Sequence, residues 1–152
     1  MGLALFDSNI LIDALNGIQQ AVTEIAYFDD IGISAITWME VVSKPIAKAG
    51  WGKITPQEMQ TIRDFLATFQ VIHTSDAIMA EAARVRASSL INPPKSRLPD
   101  AVIQATANVT GRLLVTRNKK DFRSSNLRVP YELQNATVFN VAPPPTGRSA
   151  TD

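Results

Sequence analysis

Leu3-Ala4-Leu5-Phe6-Asp7-Ser8-Asn9-Ile10-Leu11-Ile12-Asp13-Ala14-Leu15 reads as a strand followed at once by a helix. A short apolar run ends at Asp7, Ser8 and Asn9, all residue types favoured at helix N-caps, and Ile10, Leu11, Ala14 and Leu15 then recur at helical spacing. The arrangement repeats. Ile31 to Ser34 precedes a helix carrying Trp38, Val41, Val42 and Ile46, with Thr37 as its expected cap. Gln70 to His73 precedes a helix through Ile78, Ala82 and Val85, capped by Ser75. Leu113 to Thr116 follows an alanine-rich helix opened by Pro99 and Asp100 and closed near Gly111. A further helix, opened by Thr55 and Pro56, carries Met59, Ile62, Phe65, Leu66 and Phe69 on one face. Alternating strands and helices predict an α/β protein: three α/β/α layers around a mainly parallel central sheet of four to five strands. Val138 and Phe139 are candidates for an edge strand, and Trp38, Trp51 and Phe69 are expected in the core.

The 152 residues suit one domain, expected over residues 1–142, with residues 143–152 as a disordered proline-rich tail. Apolar content of 45% and charged content of 19% are those of an ordinary globular protein. No apolar run nears the roughly 20 residues that span a bilayer, and no secretory pattern opens the chain, so no membrane association and a cytoplasmic location are expected. Cysteine is absent, which excludes disulfides, thiolate zinc sites and cysteine nucleophiles. There is no P-loop, glycine-rich phosphate loop or dinucleotide fingerprint. Net charge is only +1, yet Arg112, Arg117, Lys119, Lys120, Arg123 and Arg128 crowd around Asp121, with Lys95 and Arg97 just before Asp100. Such a cluster reads as a solvated surface, or, beside an acidic site, as a contact for a phosphate backbone.

Four acids, Asp7, Glu40, Asp100 and Asp121, stand at strand-to-helix or strand-to-turn junctions. Sites in open α/β sheets form beyond the carboxyl ends of the strands, so acids at these junctions converge in space. A hard divalent cation makes such a cluster tolerable. Each acid also has a local structural reading. Asp7 is a possible cap, although Ser8 or Asn9 can take that role and leave Asp7 pointing off the sheet. Glu40 follows Thr37 at capping-box spacing, which Thr55 and Glu58 repeat away from any chemistry. Asp100 suits the helix macrodipole, and Asp121 suits a turn. Glu24, Asp29, Asp30, Asp64, Glu81 and Glu132 read as solvated charges, and Asp13 and Asp76 rank below the four. The one histidine, His73, reads as a packed residue. Oxygen ligands select Mg2+ or Mn2+.

Phe6 to Asp13, Ser34 to Val41, Leu98 to Ala107 and Leu114 to Phe122 together resemble the PIN-domain ribonuclease family, and in particular the VapC-like toxins of bacterial toxin–antitoxin pairs. The resemblance implies a PIN-like fold in which Asp7, Glu40, Asp100 and Asp121 hold one or two Mg2+ or Mn2+ ions and cleave RNA with metal-activated water. It ranks Asp7 and Asp100 as direct ligands, Glu40 next and Asp121 last, because the neutral Asn118 stands where related chains vary in the placement of the carboxylate. It gives Thr116 and Asn118 the orienting of that last carboxylate or of the scissile phosphate. It also implies a small antitoxin partner covering the metal site, and a homodimer.

Two other readings compete. A phosphatase or DNA nuclease would use the same cation on another ester, but phosphatases with an acid after the first strand usually carry a second acid two residues on, and Asn9 stands there. A catalytically silent RNA-binding or scaffold module gains nothing from clustered negative charge.

Overall fold

A computed structural model describes residues 2–124 and 126–145. The strand-like runs become β1 (Leu3–Phe6), β2 (Asp30–Ser34), β3 (Gln70–Ile72) and β4 (Leu113–Val115), joined by a two-residue β5 (Leu127–Arg128). All pair in parallel, in the order β3-β2-β1-β4-β5. The chain moves outward from β1 in one direction through β2 and β3, then in the other through β4 and β5. The reversal point therefore lies between β1 and β4, where open α/β sheets form their ligand crevice.

The helices are α1 (Ser8–Leu15), α2 (Gln19–Ala26), α3 (Ala35–Gly50), α4 (Pro56–Leu66), α5 (Asp76–Ile91) and α6 (Leu98–Thr110). Strand alternation in β1 sends Ala4 and Phe6 into a core with residues of α1 to α4, while Leu5 enters another with Ile103, Ala107 and Phe122. Phe6 meets the rings of Phe28 and Phe69 edge-on, with centroids 5.7 and 5.9 Å away. The three-layer α/β/α arrangement with a parallel centre is thus present.

Several local expectations change. Val138 and Phe139 lie in β7 (Thr137–Phe139), which pairs with β6 (Glu132–Gln134) as a separate antiparallel hairpin and adds nothing to the central sheet. Ser34, the last residue of β2, caps α3 by accepting from the Ile36 N–H at 3.1 Å. Thr37 is one turn inside that helix and fully buried, its hydroxyl unpartnered among the described residues. Phe69 is in the core, but Trp38 and Trp51 are exposed, Trp51 lying under the Lys53 ammonium. Glu24 is fully buried: Arg128 of β5 forks onto it with bonds of 2.7 and 2.9 Å, fastening the last strand to α2. Residues 141–145 of the C-terminal segment carry no helix or strand, and residues 146–152 of the expected tail lie outside the described residues. No helix among the described residues is long and apolar enough to cross a membrane.

Candidate active site

Asp7 follows β1 immediately, and its N–H donates to the carbonyl of Val115 at the end of β4. The carboxylate is therefore fixed at the β1–β4 seam. Asp7 itself caps α1, in keeping with its local reading, rather than leaving that role to Ser8 or Asn9: Oδ1 accepts from the Ser8 N–H at 2.8 Å. Oδ2 accepts from the Thr116 hydroxyl at 2.8 Å and from Asn9 Nδ2 at 3.2 Å. Thr116 Oγ1 in turn accepts from Asn9 Nδ2 and from the Asn118 N–H, both at 3.1 Å. A hydroxyl has one proton and two lone pairs, so with both lone pairs filled its proton goes to Asp7. Capping and a site role are compatible here. Each carboxylate oxygen offers about two acceptor positions, and Oδ1 uses one of its pair on the cap.

The other three acids come from separate elements. Glu40 lies on an exposed face of α3, Asp100 in the first turn of α6 behind Arg97, and Asp121 at the end of a 3-10 turn (Lys119–Asp121) beyond β4. Their mutual influence places them around one region. Burial raises the pKa of Asp7, partly opposed by its Thr116 and Ser8 hydrogen bonds and reinforced by the Asp121 charge. Partial desolvation, then Asp7 and Asp100, raise that of Glu40, while Arg97 pulls it down. Asp100 is pushed up to about 6 by desolvation, then by Asp121 and Asp7, again against Arg97. The set is all-oxygen, which suits a hard divalent cation, and its internal repulsion is what such a cation relieves. Among the described residues no three acid or histidine side chains stand close enough together to hold a metal ion as they are placed.

Asn118 and Thr116 both lie at this seam, but Thr116 supports Asp7, the first acid, and Asn118 contributes its backbone N–H. Asn9 is the positioning residue missed in the sequence. Its amide bridges Asp7 and Thr116, and its Oδ1 accepts from the Arg117 N–H at 3.2 Å. A position two residues beyond the acid was its only signal, and that reads equally as a cap. Asp13 is structural: buried, it accepts from Arg117 Nε and Nη2 at 2.7 and 3.2 Å and from the Tyr131 hydroxyl at 2.7 Å. His73 is exposed at the far edge of the sheet, after β3.

Residues 4–125 match the family described as PIN domain. Among solved structures, a chain of a toxin–antitoxin complex from Klebsiella pneumoniae is 35% identical with a TM-score of 0.70, covering 86% of this chain and 99% of its own. VapBC2 from Rickettsia felis, solved with a DNA fragment from their promoter, matches at 22% identity and TM-score 0.65 over 82% of this chain and 94% of that one. DNA-bound VapBC from Salmonella typhimurium matches at 19% identity and TM-score 0.67, over 84% and 96% respectively. Among curated proteins none matches.

Proposed function

The chain belongs to the PIN domain family, and from that premise we propose that it is a metal-dependent endoribonuclease, the VapC-like toxin of a toxin–antitoxin pair. One observation supports the reading: the four acids come from four separate elements, yet Asp7 feels the charge of Asp121, Glu40 those of Asp7 and Asp100, and Asp100 those of Asp121 and Asp7. Asp7 and Asp100 hold Mg2+ or Mn2+, with Glu40 and Asp121 completing the set. When bound, the cation stabilises the charge that builds on the phosphate and acidifies water.

The chain's own residues supply the remainder. Hydrogen bonds from Ser8 and Thr116 oppose the burial that raises the Asp7 pKa, and together with Asn9 they aim its carboxylate. Glu40, exposed and with a raised pKa, is suited to take the proton of the attacking water. Asn118, at an exposed turn beside Thr116, orients the scissile phosphate.

A groove of about 500 Å3 between α1, α3 and α4 supports the partner half of the reading. Ile12, Val41, Pro45 and Ile62 give it an apolar floor, Lys44 and Lys48 a basic rim, and Glu40 joins it to the acids. An antitoxin segment lying there covers Glu40. The same reading includes pairing of two copies, which light scattering of the purified protein tests.

The deciding experiment incubates the protein with RNA, DNA and a phosphomonoester, each with Mg2+ and with EDTA. RNA alone is expected to be cut, and only with the cation. Asp7→Asn and Asp100→Asn are expected to fold and bind Mn2+ more weakly by calorimetry while losing cleavage and growth inhibition; undiminished cleavage by both sinks the reading.

A further inference from the structure

The basic residues that crowd the sequence around Asp121 separate in the fold. Arg112 is buried at the opposite end of the sheet, donating to the Ala4 and Asp30 carbonyls and to Gln70, and pairing with the Asp30 carboxylate at 2.9 Å. Its guanidinium lies over Gly32, where an added Cβ would come within 2.9 Å of Nη1. Arg117 is paired with Asp13, and Arg128 with Glu24. These three hold the fold together.

Lys95, Arg97, Lys120 and Arg123 behave differently. They line one pocket of about 240 Å3 together with Asp100 and Asp121, two of the four site acids. Among the described residues, Lys95, Arg97 and Lys120 form no ion pair. The pocket's walls are anchored. Arg123 Nη2 donates to the Pro94 carbonyl at 2.8 Å, its backbone N–H to Gln104 Oε1 at 3.1 Å, and the Ser96 N–H to the buried Ser89 hydroxyl at 2.9 Å. The loop before α6 and the chain leaving the 3-10 turn are thus tied to each other and to α5 and α6.

Four cations held against two carboxylates leave the pocket net positive, and an anion relieves their repulsion. The volume falls below the roughly 300 Å3 at which small-molecule pockets begin, and suits a phosphate with part of its sugar. Since Asp100 and Asp121 belong to both places, an anion in the pocket neighbours the one at the acids. Arg97 lines the pocket, and its charge also lowers the pKa of Glu40 and of Asp100, linking the pocket to the acids.

We propose that this pocket binds a phosphodiester of the RNA substrate next to the one that is cleaved, with Lys95, Arg97, Lys120 and Arg123 as its ligands. The assignment rests on the ribonuclease reading above. It explains how a polyanion settles on a cluster of acids: affinity comes from the neighbouring phosphate.

The test is binding of a short fluorescein-labelled single-stranded RNA by anisotropy in EDTA, where nothing is cut, over a series of salt concentrations. Lys95→Gln with Lys120→Gln, both exposed, is compared with the wild type and with Lys53→Gln on the far loop. Loss of two phosphate contacts is expected to weaken binding about tenfold and to lower the slope of log affinity against log salt by about 1.4, while Lys53→Gln changes neither. Unchanged affinity and slope in the double variant overturn the pocket; if the wild type still cuts RNA with Mg2+, the ribonuclease reading stands. Pocket-dependent RNA binding with no cleavage under any divalent cation does the reverse. A wild type that binds no RNA overturns both.

Discussion

Thr116 donates the one proton of its hydroxyl to Asp7 Oδ2 at 2.8 Å, joining residues 109 positions apart across the β1–β4 seam. This bond opposes the burial that raises the Asp7 pKa. Thr116→Val keeps the shape and removes the donor, so Asp7 becomes harder to ionise. Cleavage requires the carboxylate, and the acid limb of the pH–rate profile is therefore expected to move to higher pH. A hydrogen bond to a charged group contributes about 1.5–3 kcal/mol, which predicts a loss of roughly 10- to 100-fold in kcat near neutral pH. Thr116→Ser is expected to restore both rate and profile. A Thr116→Val enzyme with the wild-type profile counts against this role.

The reasons for legibility lie in particular residues. The first four strands and their acids were readable because each apolar run stops at a polar junction, and parallel strands bring such junctions to one end. α2 left no comparable mark: its cap position is Ile18, with no side-chain hydrogen bond. β5 is two residues long, and Arg128 finds its partner Glu24 at a separation of 104. Charge alone therefore gave no indication that Arg112, Arg117 and Arg128 are internal while Lys95, Arg97, Lys120 and Arg123 face a pocket. The cap of α3 was misplaced because Ser34 and Thr37 are both competent caps. Ser34 pairs with Ile72 as the last residue of β2, and the helix begins there.

Asp100 gives the metal-free protein a stability that depends on pH. Its folded pKa of about 6 lies above the ordinary 3.8. The native state binds the extra proton, so the stabilising contribution is full below 3.8 and is lost as pH rises through about 6. With EDTA present, acidification from neutral pH to about 5 is expected to stabilise this site by about 1 kcal/mol after discounting for solvent screening. Asp100→Asn is expected to flatten this part of the thermal-melt profile, and saturating Mn2+ to raise the wild-type Tm at neutral pH. An identical pH dependence in wild type and Asp100→Asn contradicts the prediction.

Tyr131 lies beyond the segment that matches the family, yet it is fully buried with its hydroxyl on Asp13. Burial and the Asp13 charge raise its pKa, which keeps the phenol a donor. Tyr131→Phe removes that bond and leaves Arg117 to hold Asp13. The expected cost is about 1.5 kcal/mol, seen as a lower urea midpoint with unchanged slope. Unaltered stability excludes a structural role for this contact.

Glu40 and Glu58 share the same spacing from a threonine, but only one of them caps a helix. Glu58 completes a capping box with Thr55, its N–H donating to Thr55 Oγ1 at 3.0 Å and its carboxylate facing the Thr55 N–H at 3.4 Å. Glu40 lies inside α3, behind a cap made by Ser34, and its surroundings raise its pKa. The two residues are expected to respond in opposite ways. Glu58→Gln keeps a side chain able to accept in the box, so Glu58→Ala is the informative change, with a loss of about 0.5–1 kcal/mol and normal cleavage. Glu40→Ala removes a carboxylate that Asp7 and Asp100 repel, so stability holds or rises slightly while RNA cleavage falls at least about 100-fold, the range of a lost general base. Urea titrations and cleavage rates on the two variants separate the roles: destabilisation by Glu40→Ala with normal turnover returns it to the capping role its spacing suggests.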